Sequence, residues 1–510
     1  MTHLPRIRFG LAALLLLAPG LLVAQALTSI TSLYVSYSTR KVTANPTGEV
    51  KARLDSLERD FFVANRAGRT SEVRRLLAKG MVILAGKPWT DVADYSASLV
   101  LRADRVVIDP ATPYTVRLEQ LYAPAIELPR SLSAHALLVS RATVPNTPPT
   151  VVKDFGAFEG VSRDLRESPY PLDVDLRDVP DGRYSITVEV TDSARTLGSA
   201  ALGIAVRKGL DGMVAQLEAQ GSRAPAAIRA ELLYPVDRMR NVNRGRLELR
   251  TLDVERDFAT ATAIGSAVEH GKNPFDGVTG DLKRHYMLDA AHEIMPYRVM
   301  VPSGYTATKA YPLIIALHGL GGTEDSFFDA YGRALPPLAA SRGYLLAAPL
   351  GYRVDGGYGW GVGTPPTDPV ARRSSALSEA DVMDVLAQVQ KNYHVDPDRI
   401  YLMGHSMGAI GTWKLAPKYA SIWAAVASFS GQGAPGTVDQ MRSIPEFVVH
   451  GDADPTVNVA GSRAMVAAMK ALKMDVQYIE VPGGNHGSVV EPNLPAMFDF
   501  FDAHRRPPTP

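Results

Sequence analysis

Residues 398–413 read DRIYLMGHSMGAIGTW. Ile400, Tyr401 and Leu402 form a short apolar run that ends at Gly404, and Ala409 to Leu415 carries a helical pattern. G-x-S-x-G is weak evidence by itself, because short glycine patterns arise by chance. Between a strand and a helix it marks a sharp, strained turn that lifts the serine hydroxyl clear of its surroundings. Glycines at 404 and 408 are then needed, since side chains there would strike the adjoining strand and helix. His405 and Met407 fill the variable positions, and Met407 matters through its backbone N–H. On this reading Ser406 is a nucleophile.

A serine hydroxyl needs a general base at neutral pH. Downstream, FVVHGDADPTV (447–457) is a strand entering a loop with two carboxylates, and IEVPGGNHGSV (479–489) is a strand entering a glycine-rich loop with His486. Asp454 follows the serine by 454 − 406 = 48 residues, and His486 follows Asp454 by 486 − 454 = 32. Both lie just past predicted strands, where an α/β sheet gathers its ligands. Asp452 is the alternative acid. Upstream, LIIALHGLGG (313–322) runs a strand into a glycine-rich loop. That loop and the turn after Ser406 place the backbone N–H groups of Leu320 and Met407 as the expected oxyanion donors.

Around this centre, from about 281 to 510, strand-like runs alternate with helical ones. Several are apolar on both faces, as in a parallel sheet covered by helices. Between 96 and 207 the apolar period is two: Leu172, Val174 and Leu176, then Ile186, Val188 and Val190, then Leu202, Ile204 and Val206. Turns such as Val179-Pro180-Asp181-Gly182 separate these runs, and the expectation is an antiparallel, immunoglobulin-like β-sandwich. Residues 27–95 read as helical, with a hairpin whose stripes are Val50, Leu54, Leu57 and Phe61, then Val73, Leu76, Leu77 and Leu84. A helical connector is expected over 208–280, with Pro225 near a helix start and Pro235 breaking the helix.

The first 26 residues carry Arg6 and Arg8, an apolar run from Phe9 to Val23, and Ala24-Gln25-Ala26. This is the pattern of a cleaved export signal and points to a secreted or periplasmic protein. Its removal takes away two positive charges, so the formal charge changes from +1 to 1 − 2 = −1. Near-neutrality gives no electrostatic case for nucleic acid, and no stable membrane insertion is expected. Zero cysteines exclude disulfides, thiolate metal sites and a cysteine nucleophile. His292-Glu293 does not complete H-E-x-x-H, because residue 296 is Pro296, so neither metal nor other cofactor is expected.

The stretches PYRVMVPSGY, YPLIIALHGLGG, EADVMDVL, VDPDRIYLMGHSMGAIGTW, HGDADPTV and GGNHG together resemble the α/β-hydrolase superfamily. Within it, the likeness is to secreted esterases related to polyhydroxybutyrate depolymerases, feruloyl esterases and prolyl-oligopeptidase-like hydrolases. The resemblance covers about 281–505. It implies an H-G-x-x-D acid, which falls on Asp454, and a catalytic set of Ser406, Asp454 and His486 acting on a small or polymeric ester. The alternatives are a prolyl-oligopeptidase-like serine peptidase, a polyester or feruloyl ester depolymerase, and a binding protein with a hydrolase-like domain. Trp360, in GGYGWGVG, is either a loop anchor or an aromatic wall of the acyl pocket. His318 reads as a hydrogen-bonding structural residue, and Trp413 and Trp423 as core.

Overall fold

A computed structural model describes residues 30–128, 132–140, 149–192, 195–360 and 365–506. The expected export signal lies outside these residues. The chain begins with helices Ile30–Ala44, Gly48–Arg66 and Thr70–Leu84. The latter two are the hairpin, and the first lies within the same segment read as helical, ahead of the two stripes. Leu54, Leu57, Phe61, Val73, Leu77 and Ile83 are buried against Tyr37 of the first helix. Close approach matters here: a Cβ at Gly80 would lie 2.6 Å from the Tyr37 ring. Val50, expected on the buried stripe, is exposed, and Leu76 and Leu84 are only partly buried. The packed face turns toward Tyr37, away from these positions.

A short helix, Asp91–Ser98, crosses the expected boundary at 95/96, and sheet begins at β1 (Leu99–Ala103). Strands β2 (Val107–Ile108), β3 (Tyr114–Gln120), β4 (Leu132–Ser140), β5 (Val151–Val161), β6 (Tyr170–Val174), β7 (Gly182–Thr191) and β8 (Thr196–Val206) follow. They form two sheets, ordered β1-β3-β6 and β2-β8-β7-β4-β5. All their pairings are antiparallel except β2 with β8. Alternation works as expected: Ile186, Val188 and Val190 point inward while Glu189 is exposed.

Helices Leu210–Arg223, Ala226–Asn243 and Val254–Glu269 come next. Their Leu217, Leu232 and Phe258 share one hydrophobic core with Ile186 and Val188, so connector and sandwich are packed as a unit. Pro235 does not break its helix, which runs through it to Asn243. The ring forfeits one intrahelical hydrogen bond, but the burial of Leu232, Tyr234, Val236 and Val242 around it outweighs that loss. The same helix carries buried Glu231, which accepts hydrogen bonds of 2.6 Å from Arg284 Nε and 2.6 Å from His285 Nδ1. This joins the connector to the next sheet.

That sheet contains β9 (Gly280–Leu288), β10 (Glu293–Val301), β11 (Tyr311–Leu317), β12 (Leu345–Pro349), β13 (Val395–His405), β14 (Ala425–Phe429), β15 (Glu446–Gly451) and β16 (Val476–Val481). Their order is β16-β15-β14-β13-β11-β12-β10-β9. From β12 through β16 the pairings are parallel, while β10 pairs antiparallel with β9 and β12. Every residue of β11, β12, β14 and β15 is buried, because helices cover both faces. This is the α/β-hydrolase arrangement. In such a sheet ligands gather outside the carboxyl ends of the strands.

Candidate active site

β13 ends at His405, helix Met407–Lys418 begins two residues later, and Ser406 occupies the joint with φ 57° and ψ −119°. A non-glycine residue reaches that region only when its surroundings hold it there. Gly404 and Gly408 show how. A Cβ at 404 would collide with the backbone of Gly408, and one at 408 would collide with the carbonyl of Leu317 at the end of β11. The two glycines let strand and helix close around the serine.

His486 Nε2 lies 2.8 Å from Ser406 Oγ, and its Nδ1 lies 2.7 Å from Asp454 Oδ2. A carboxylate oxygen only accepts, so Nδ1 carries the proton and the Nε2 lone pair faces the serine hydroxyl. The side chain of Asp454 is fully buried, whereas that of His486 keeps 20% of its exposure. Burial alone would raise the Asp454 pKa. Hydrogen bonds from His450, His486 and the backbone N–H groups of Val457 and Thr456 win, and hold it well below the usual carboxylate range. Asp452 points elsewhere: its Oδ1 accepts from Gly483 N–H at 2.7 Å.

Three further side chains brace the constellation, none of them assigned a role from sequence. His405 Nε2 lies 2.8 Å from the carbonyl oxygen of His486, and His405 Nδ1 lies 2.8 Å from Tyr331 Oη. Burial, then the neighbouring His486, push the His405 pKa down to about 4. The ring is therefore neutral. It donates from Nε2 to the carbonyl and accepts at Nδ1 from the tyrosine. Ser430 Oγ donates to the same His486 carbonyl at 2.9 Å, so the backbone of the histidine is held twice. No local pattern marks these residues, because they meet only through tertiary packing.

The loop after β11 passes beside the serine: a Cβ at Gly319 would sit 3.3 Å from Ser406 Cβ. Gly321 N–H is used by Val354 O at 2.8 Å and Gly322 N–H by Gly319 O at 3.0 Å. The Leu320 N–H has no acceptor among the described residues, and Leu320 is 42% exposed. Met407 N–H lies in the first helical turn, where backbone donors have no intrahelical partner. His318 is buried, with ring nitrogens 2.7 Å from the carbonyl oxygens of Gly319 and Leu350, which ties the loop to the end of β12. Trp360 is half-buried with Lys418 Nζ 4.8 Å from its ring centroid. Lys418 closes the helix that Met407 opens, about 17 Å along its axis from the serine, so this contact favours the loop-anchor reading.

Residues 290–472 match the family model Esterase, described as "Putative esterase". A bifunctional acetylxylan esterase/xylanase of Neocallimastix patriciarum is 30% identical over 147 residues, 29% of this chain and 20% of its own length. Feruloyl esterase B of Neurospora crassa is 34% identical over 128 residues, 24% of this chain and 40% of its own. The chain thus spans less than half the length of these curated relatives. Among solved structures, a thermostable esterase aligns over 80% of this chain and 99% of its own at 16% identity, with a TM-score of 0.39.

Proposed function

We propose that this chain is a serine carboxylic ester hydrolase, exported through the N-terminal segment, with Ser406, His486 and Asp454 as its catalytic residues. The observation that carries the reading is the continuous hydrogen-bonded line from Ser406 Oγ through both nitrogens of His486 to Asp454, starting at a strained serine. In the first half-reaction Oγ attacks the ester carbonyl carbon while its proton passes to His486 Nε2. The carbonyl electron pair moves onto oxygen, where the N–H groups of Leu320 and Met407 receive it. Collapse breaks the bond to the alcohol, which leaves with the proton from Nε2. Water then repeats the sequence on the acyl-enzyme, and Asp454 stabilises the transient imidazolium both times.

The peptidase alternative of the prolyl-oligopeptidase kind would need a gating propeller ahead of the catalytic sheet. The described N-terminal residues are helices and a two-sheet sandwich instead. Feruloyl and acetylxylan esters are the acyl classes named for the similar proteins, and they set the first panel to try. The deciding experiment incubates purified protein with p-nitrophenyl acyl esters, methyl hydroxycinnamates and peptide anilides, beside a fluorophosphonate probe. Ester turnover with probe attached at Ser406 is the expected result. Anilide hydrolysis exceeding ester hydrolysis, or no probe on Ser406, overturns the reading.

A further inference from the structure

Tyr358 lies in the loop that follows β12, and its side chain is fully buried. Its Oη–H donates at 3.1 Å to the carbonyl oxygen of His318, the first residue after β11. The same ring packs on Gly411, in the helix that opens at Met407: a Cβ at 411 would sit 2.6 Å from Tyr358 Cδ2. One side chain thus spans from the oxyanion loop to the helix behind the nucleophile. The two oxyanion donors, Leu320 N–H and Met407 N–H, stand one on each of these elements. We infer that Tyr358 is a positioning residue that holds the two donors at their working separation, an inference that rests on the catalytic set proposed above.

Backbone chemistry explains why the loop needs such a hold. Leu320 N–H belongs to the Gly319–Leu320 peptide unit, and in a trans peptide N–H and C=O point opposite ways. Gly319 O accepts from Gly322 N–H at 3.0 Å, which fixes that plane from one side. Gly319 has no side chain to limit its rotation, so the preceding peptide must be held as well. Tyr358 does this through His318 O, and Val354 O of the same loop takes Gly321 N–H at 2.8 Å. Burial pushes the tyrosine pKa well above its ordinary value, so the hydroxyl keeps the proton it donates. The anchor is itself fixed. Tyr358 N–H donates at 2.9 Å to Ser378 Oγ, in helix Pro369–Asn392, and Lys414 Nζ donates to Gly357 O at 2.8 Å. Tyr358 has φ 55°, a backbone state that a bulky residue adopts only when its surroundings enforce it.

Tyr358→Phe keeps the ring against Gly411 and removes only the hydroxyl. With a p-nitrophenyl ester, kcat/KM should fall about tenfold, a fraction of the roughly 10²–10³ that losing a whole oxyanion donor costs. A trifluoromethyl ketone with the same acyl chain reads the donors directly. Ser406 Oγ adds to its carbonyl carbon, the serine proton passes to His486, and the ketone oxygen becomes the bound anion. Its Ki should rise by the same factor, while the Ki of the matching amide, which stays planar, should hold within about twofold. A loosened pocket would weaken both inhibitors alike; that result, or wild-type kcat/KM and ketone Ki, overturns the inference. Ser378→Ala, which takes away the acceptor of Tyr358 N–H, should move the same two readouts in the same direction if the phenylalanine variant folds poorly. Wild-type values there overturn the inference equally. Wild-type protein that neither hydrolyses the ester nor forms the ketone adduct defeats the proposed catalytic set, and this inference with it.

Discussion

The two sheet systems of this chain bury their strands differently. In the sandwich, β7 hides Ile186, Val188 and Val190 and shows Glu189 to solvent, so each strand has one working face. In the hydrolase sheet, β11, β12, β14 and β15 are buried along their whole length, β11 at all seven residues. A strand covered on both faces has nowhere to present polar groups along its length. The difference teaches why Ser406, Asp454 and His486 arrive from three separate strand ends.

If that division holds, mutations at strand ends should remove turnover and spare the fold, and mutations in the sandwich should do the reverse. The largest effect is expected for Ser406→Ala. It should leave circular dichroism and Tm unchanged and lower kcat on a short-chain p-nitrophenyl ester by on the order of 10⁶. More than a few per cent residual activity in purified mutant would remove Ser406 from its role. Asp454→Asn comes next, at roughly 10⁴ in kcat through the wrong imidazole tautomer, while Asp452→Asn should stay within a few-fold of wild type. The reverse ranking would assign the acid to Asp452.

The sandwich supplies the opposite case. Ile186→Ala, at a fully buried position of β7, should cost about 2–5 kcal/mol in denaturant unfolding. The folded fraction should keep wild-type kcat/KM; a loss of turnover would show that the sandwich acts on the site.

Glu446 sharpens the contrast from inside the hydrolase sheet. It is fully buried at the start of β15, the end away from Asp454, and burial pushes its pKa up to about 8 despite the Trp413 Nε1–H bond of 3.1 Å to Oε2. The native state therefore holds a proton that the unfolded chain loses near its ordinary value, about 4.3. Native protein binds more protons between those values, so stability should fall as pH rises through the window from roughly 4.3 to about 8. Glu446→Gln should flatten that decline, with a higher Tm than wild type at pH 9 and little difference at pH 4. Parallel Tm–pH curves for the two proteins would show that Glu446 does not titrate in this way.

The sequence by itself determined the elements that obey a local period. Alternation along 182–191, the all-apolar run at 311–317 and the run at 425–429, apolar but for Ser428, are set by which faces must leave water. The turn at Gly404–Gly408 was equally legible, because a strained serine between strand and helix needs glycines at fixed offsets. Local rules misjudged Pro235, where burial around the ring kept the helix intact, and Val50, whose face the packing of Tyr37 left in solvent. The resemblance pointed to Asp454, but periodicity and spacing left Asp452 open, and the folded loop shows which carboxylate meets His486. Asp452 and Asp454 are two residues apart in one loop, and the choice lies in how that loop folds between Gly451 and Val457. The tertiary structure alone brought Tyr331, His405 and Ser430 around the site, because their hydrogen bonds join strand ends and loops far apart in sequence, and no period in the chain encodes such contacts.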